Sequence, residues 1–434
     1  MMKTQFTRYR RYAGMLLCSA LLLFSCTKED GSDQEPDPTE KSGLMLTASA
    51  TEISMGDEVT FEVTLEGEAT DADIYVDNEK ISGTSYAFDE TGSYQVMAKK
   101  EGYIDSDPVQ IKVKMSKMDV YIAGTGGKDY KEEHFARYWK NGVPVILKGS
   151  DLDKPDKTET AMSIIVDQGD VYAAGYSHSE SYGDAVYWKN GTMVQLEKSP
   201  GSGSTYTKEI AAYNGDIYIA GNEYNPASIS VAVYWKNGTI VQLTDGTKSA
   251  FARSIVVDDG NVYVGGHEVF GANEIARYWK NGTPVDLTDG TTDAGINSIF
   301  VSNGDVYAVG YRDNEDGKAI AMYWKNGVKS TLSSATTHAY AEDIFVENGN
   351  VYIIGRVLNA SFKWEATFWK NGTPVVLSEG DNDEYPTSIA IHNGDVHIVG
   401  YQTTGSGSIA KYWKNGALVP LEEAFRANSI YLDY

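Results

Sequence analysis

Arg253-Ser254-Ile255-Val256-Val257-Asp258-Asp259-Gly260-Asn261-Val262-Tyr263-Val264-Gly265-Gly266 opens a phrase that closes with Ile275-Ala276-Arg277-Tyr278-Trp279-Lys280-Asn281-Gly282-Thr283-Pro284-Val285-Asp286-Leu287. It reads as four short apolar strands. Asp259-Gly260 joins the first to the second and Asn281-Gly282 joins the third to the fourth. Both are tight-hairpin signals, because a type I′ turn needs positive φ at its two central residues. The other connections carry no such signal.

The phrase recurs along the chain. Its aromatic-Trp pair falls at Tyr138-Trp139, Tyr187-Trp188, Tyr234-Trp235, Tyr278-Trp279, Tyr323-Trp324, Phe368-Trp369 and Tyr412-Trp413, 44 to 49 residues apart. Periods of this size mark solenoids or propellers, and every segment here is strand-like. The first copy starts at Asp119-Val120-Tyr121-Ile122-Ala123-Gly124 without a first strand, and the chain closes on Asn428-Ser429-Ile430-Tyr431-Leu432-Asp433-Tyr434, a first strand without a second. The two halves are expected to pair, closing a ring and removing exposed edges. The fold class expected is all-β: a seven-bladed β-propeller over residues 118–434, its C-terminal strand closing the first blade, preceded by a small β-sandwich.

Because tight turns leave one end of each antiparallel blade, all the long, variable connections gather at the other end, where function is expected. The Gly-terminated second strand and the Asp-Gly or Asn-Gly turn resemble the kelch propeller repeat, with the 253–266 stretch the nearest copy. The Trp here sits on the third strand rather than the fourth. The Ala-x-Tyr-Trp-Lys-Asn-Gly phrase also resembles bacterial extracellular repeat proteins.

Residues shared by all copies are read as structure. The Trp side chains are expected between blades, where a buried aromatic contributes about 3 kcal/mol or more. The Ala two before each aromatic pair permits close sheet approach, and Ile164, Ile210, Ile255, Ile299, Ile344, Ile389 and Ile430 are core. Positions that differ between copies at the variable end form two rings. After the second-strand glycine come Thr125, Tyr176, Asn222, His267, Tyr311, Arg356 and Tyr401, and four before the Ile come Tyr206, Phe251, Tyr340 and Tyr385. Just inside lie Met162, Lys208, Arg253, Asn297, Glu342, Thr387 and Asn428. Aromatic faces beside planar polar groups suit a pyranose and its hydroxyls. The plainer explanation is a tyrosine-rich cap on the ring. The candidate ligand-binding set is Tyr176, Tyr206, Asn222, Phe251, Arg253, His267, Tyr311, Tyr340, Arg356, Tyr385 and Tyr401.

No nucleophile elbow, phosphate loop or metal-spaced pair appears among His134, His178, His267, His338, His392 and His397. No catalytic residue, metal or cofactor is assigned. A carboxylate pair such as Glu209 with Glu342 would still suit a glycosidase. The acidic runs Asp313–Gly317 and Asp381–Glu384 are candidates for Ca²⁺, but neither completes a calcium loop, and solvated loops explain them better.

At the amino end, Lys3, Arg8, Arg10 and Arg11 precede an apolar run from Ala13 to Phe24, the form of a cleaved secretory signal. Leu23-Phe24-Ser25-Cys26 resembles the lipobox of bacterial lipoproteins, which implies residues 1–25 as signal, acylation of Cys26 and an outer-membrane anchor facing the exterior of a Gram-negative cell. Lys28-Glu29-Asp30 resembles the acidic export signal of surface lipoproteins. Cys18 leaves with the signal, so no disulfide is expected. Residues 26–43 read as a polar, acidic tether, and residues 44–115 alternate as half-buried strands. Glu90-Thr91-Gly92-Ser93-Tyr94-Gln95-Val96 resembles the tyrosine corner of immunoglobulin-like domains, which implies a spacer. The net charge of −24 argues against a nucleic-acid partner. The expected function is non-enzymatic glycan binding by a monomer. The alternatives are a protein-binding adhesin or scaffold, and an envelope lyase or glycosidase.

Overall fold

The computed structural model describes residues 42–114, 118–126, 135–147, 149, 158–179, 182–378, 382–405 and 407–434. The signal, Cys26, the acidic tether up to residue 41 and His134 lie outside them. These residues form two compact units that divide after Met115. All of their regular structure is β, and among the described residues no helix is long and apolar enough to cross a membrane.

The smaller unit holds two sheets. One contains Leu44–Ala48, Glu58–Leu65, Glu68–Ala69 and Ser85–Ala87; the other contains Glu52–Ser54, Val109–Lys114, Gly92–Lys99, Asp73–Val76 and Glu79–Lys80. Alternation puts Val59, Phe61, Ile74, Val96 and Ile111 into one core with Phe88. The Tyr94 hydroxyl donates to the Glu90 carbonyl at 2.9 Å, fixing the start of its strand.

The larger unit is a succession of seven four-stranded antiparallel sheets. The fourth is built from Ala250–Asp258, Asn261–Phe270, Asn273–Lys280 and Thr283–Asp286. In each sheet the first strand of the phrase packs on the first strands of both neighbouring sheets, while the fourth strand is largely exposed. The first sheet takes its innermost strand from Ala424–Asp433, which pairs with Asp119–Gly126 and lies between the innermost strands of the second and seventh sheets. The succession therefore closes on itself.

The Lys-Asn-Gly turns form as their chemistry requires. Asn281 and Gly282 have φ of 49° and 80°. The Asn281 side chain accepts the Val262 N–H at 2.9 Å and donates to Asn261 Oδ1, so one residue supplies both the turn conformation and a clasp to the adjoining strand. The seven phrase tryptophans are at most 2% exposed. Trp139, Trp235 and Trp369 donate their indole N–H to carbonyls of the preceding sheet, at Glu422, Glu197 and Leu332. They are inter-sheet residues.

Candidate functional site

One local irregularity builds the variable end. In all seven innermost strands a residue at one corresponding place bulges out of the ladder, at Met162, Lys208, Arg253, Asn297, Glu342, Thr387 and Asn428, and the closing strand skips a second residue at Phe425. The bulge pushes the backbone toward the second strand. There a Cβ on Gly124, Gly175, Gly221, Gly266, Gly310, Gly355 or Gly400 would collide with the carbonyl of Arg426, Thr160, Tyr206, Phe251, Gly295, Tyr340 or Tyr385. The repeated glycine is thus the counterpart of the bulge. Sequence reading ends the second strand at this glycine, but the ladder resumes beyond the bulge and runs on, to Phe270 in the fourth sheet.

As a result the two rings of variable residues stand on strands as direct cross-strand partners: Tyr206 opposite Asn222, Phe251 opposite His267, Tyr340 opposite Arg356, and Tyr385 opposite Tyr401. They form an aromatic collar interleaved with arginine. Tyr176 meets Tyr206 edge-on at 5.3 Å, Tyr311 meets Tyr340 at 5.2 Å, and Tyr385 stacks on Tyr401 at 5.0 Å. The Arg356 guanidinium lies 4.7 Å from the centre of Tyr340, 5.2 Å from Trp364 and 5.4 Å from Tyr385. Its Nη1 is 2.8 Å from Glu342 Oε1. Arg426 covers Tyr401 at 4.5 Å. An unbroken run from Tyr311 to Arg426 therefore spans three sheets and reaches the closing strand.

Other candidates are held differently. Asn222 is buried, and its amide donates to the Ala250 carbonyl at 2.9 Å and to Ser230 Oγ at 3.2 Å, which commits it to the framework. His267 is buried against Phe251, ring centres 4.8 Å apart, with Nε2 3.7 Å from Glu274. Burial, then the charge of Arg253, pushes its pKa down to about 3, so it stands neutral. Tyr311 donates to Glu274 at 3.1 Å; burial and that carboxylate push the phenol well up.

Sequence reading missed Trp364, Arg426 and Glu274. Trp364 is the one tryptophan outside the repeated phrase, and Arg426 stands four before Ile430 in the ring listed only for its aromatics. Both signals were available.

Inside the collar, residues that precede the core Ile positions tie neighbouring sheets together. Ser163 Oγ accepts the Ile210 N–H, Ser254 that of Ile299, and Ser388 that of Ile430. In two sheets a carboxyl takes this place: Glu209 accepts from Ile255 and Asp343 from Ile389, both at 2.9 Å. Burial, then Asp343, pushes Glu209 up to about 8, and burial raises Asp343 as well. Glu209 and Glu342 thus have separate partners, the girdle and Arg356.

The remaining histidines are scattered. His397 Nδ1 lies 2.7 Å from the Tyr412 hydroxyl, but this pair fills the slot between strands that Tyr121 and Tyr138 fill in the first sheet, near the tight turns. In the Asp313–Gly317 run, Asn314 Oδ1 accepts the N–H groups of Asp316 and Lys318, tying the loop to itself. Asp381 lies outside the described residues, while Asp383 accepts the Trp364 N–H at 2.9 Å. Among the described residues no group of His, Asp or Glu is arranged to hold a metal ion.

No protein-family model and no curated protein matches the sequence. Among solved structures, the β-propeller domain of the Trilobed protease from Pyrococcus furiosus is similar at 11% identity over 78% of this chain and 99% of its own, with a TM-score of 0.39. A putative TolB from Agrobacterium tumefaciens is similar at 9% identity over 73% and 96%, with a TM-score of 0.38. A mutant of the Aleuria aurantia lectin, in complex with alpha-methyl-L-fucoside, is similar at 14% identity over 60% and 95%, with a TM-score of 0.36. At these distances neither the fold nor the activity of this chain is inferred from them.

Proposed function

We propose that the chain is a non-enzymatic surface lipoprotein that binds an extracellular glycan at the variable-loop end of a seven-bladed, kelch-like β-propeller. The observation that carries the reading is the collar from Tyr311 through Tyr340, Trp364, Arg356 and Tyr385 to Tyr401 and Arg426. Its aromatic rings are half-buried, braced by guanidinium groups and stacked on one another. Rigid aromatic faces with planar donors beside them bind pyranose rings at little conformational cost. No catalytic constellation accompanies them: the carboxyls nearest the axis serve the girdle or pair with arginine. The smaller unit is an immunoglobulin-like spacer, its Tyr94 to Glu90 hydrogen bond forming the tyrosine corner. The lipobox-like Leu23–Cys26 supports a protein acylated at Cys26 and anchored in the outer membrane facing outward, and we take it to act as a monomer without cofactor.

A second reading, a protein-binding adhesin, draws on Phe270 and Phe362. These stand 51% and 81% exposed at the tips of two connections at the same end.

A glycan array probed with the detergent-solubilised full chain, beside a variant carrying Tyr340, Tyr385 and Tyr401 changed to Ala, tests the reading. Binding that the variant loses while keeping its strand content supports a carbohydrate site on the collar. An array without signal for the parent overturns it and favours the adhesin.

A further inference from the structure

We infer that the glycan is acidic, and that its oxyanion sits between Lys208 and Arg253; this rests on the glycan reading above. Both residues are bulge residues, on the adjoining innermost strands Thr205–Tyr213 and Ala250–Asp258. A bulge releases its side chain from the alternation of the ladder, and the two stand at corresponding places on neighbouring innermost strands. Corresponding bulge residues elsewhere find partners around the ring: Asn297 donates to the Ala341 carbonyl, Thr387 to that of Ala427 and Asn428 to that of Ala161. Glu342 meets Arg356. Lys208 and Arg253 have no hydrogen-bond or ion-pair partner among the described residues, and Arg253 Nε is buried without one.

The imbalance is local. Burial, with the neighbouring Arg253 charge second, pushes the Lys208 ammonium down to about 8, the sign of two like charges held close in a poorly solvated place. Nearby acids do not neutralise them. Glu209 is pushed up to about 8 and is uncharged at neutral pH, and Glu274, which accepts the Tyr311 hydroxyl and lies 3.7 Å from His267, forms no ion pair with either cation. A protein with formal charge −24 thus keeps an uncompensated cationic pair on the inner wall of its ring. Half-buried cations without counterions are costly, and an oxyanion accepting from both would offset that cost.

The adjoining surface fits a sugar ring. Tyr206 and Phe251 each precede a cation by two residues on the same strand. The Arg253 guanidinium lies 5.8 Å from the Phe251 ring centre, and Tyr176 supports Tyr206 edge-on. A pyranose bearing a carboxylate or a sulfate ester would set its face on an aromatic ring with its anion between the cations.

The test is titration calorimetry on the full chain in detergent. The ligands are a galacturonate oligosaccharide, its uncharged galactose counterpart, a sulfated galactose oligosaccharide and inorganic sulfate. A Lys208→Met, Arg253→Gln double variant and an Arg253→Lys variant are run beside the parent. At least one acidic oligosaccharide is expected to bind at least tenfold more tightly than the uncharged one, the preference falling as salt rises. The double variant should lose the preference, its affinity for the acidic oligosaccharide falling to no more than its affinity for the uncharged one, and Arg253→Lys should retain most of the preference. The stronger of the two acidic ligands identifies uronate or sulfate ester. Equal binding of charged and uncharged ligands, or a preference that survives in the double variant, overturns the acidic site while leaving the glycan reading intact. Sulfate binding that the double variant loses, with no oligosaccharide bound, overturns the glycan reading and with it the acidic glycan, leaving a bare anion site.

Discussion

Glu209 Oε2 accepts the Ile255 backbone N–H at 2.9 Å, so the carboxyl of one sheet is bonded to the innermost strand of the next. A serine stands at that position in the first, second, fourth, fifth and seventh sheets. Serine has no proton to lose near neutral pH, whereas Glu209 holds its own up to about pH 8.

The folded pKa is raised, which fixes the sign of its effect. Below the ordinary value of 4.5 both folded and unfolded chains carry the proton, and Glu209 contributes nothing to pH dependence. Between about pH 4.5 and 8 only the folded chain keeps the proton, so stability falls as pH rises through that window. Glu209→Gln should match the parent at pH 4 and exceed it at pH 8.5 by on the order of 1–3 kcal/mol. Urea unfolding midpoints at the two pH values measure this; parallel pH profiles for parent and variant would refute it.

Arg356 joins three rings and a carboxylate. Arg356→Ala removes its contacts with Tyr340, Trp364 and Tyr385 and leaves Glu342 without its cation. A loss of about 2–4 kcal/mol is expected, with Arg356→Lys recovering part of it, because an ammonium keeps the charge but not the planar stack. Thermal melting ranks the three proteins. An Arg356→Ala melting point equal to that of the parent would show that the collar is not braced by this residue.

Ring closure rests on the pairing of Ile122 with Ile430 and its neighbours. A chain ending at Glu423 exposes the edge of Asp119–Gly126 and the flanks of the second and seventh sheets. It should form concentration-dependent oligomers, visible by size-exclusion chromatography with light scattering. A monomeric, cooperatively melting truncation would mean that the ring does not need its closing strand.

The sheets, hairpins and closing strand were legible because each is written locally: Asn-Gly for the turn, alternation for the strand, a half-phrase at each end of the repeats. The collar residues were legible as positions that differ between copies, yet they were assigned to the loops rather than to continuing strands. A bulge breaks the period of two on which strand reading depends, so the ladder beyond each second-strand glycine was invisible. The glycine itself was visible without its reason, since the carbonyl it accommodates is brought against it only by the bulge in the partner strand, as Gly266 and Phe251 show. Asn222 read as a ligand donor because nothing in its neighbourhood announces that the Ala250 carbonyl of the next sheet takes its amide. Glu209 and Asp343 were within reach: aligning the residue before each core Ile sets two acids against serines.

The recurring bulge has an evolutionary consequence. A substitution at one of these seven places alters neither the turn chemistry nor the inter-sheet tryptophans, so the ring tolerates variation there that it would refuse one residue away. Met162, Lys208, Arg253, Asn297, Glu342, Thr387 and Asn428 are already six different amino acids on one scaffold position. A substitution there changes the side chain that an innermost strand carries while leaving intact the hairpins and inter-sheet tryptophans that build the sheets.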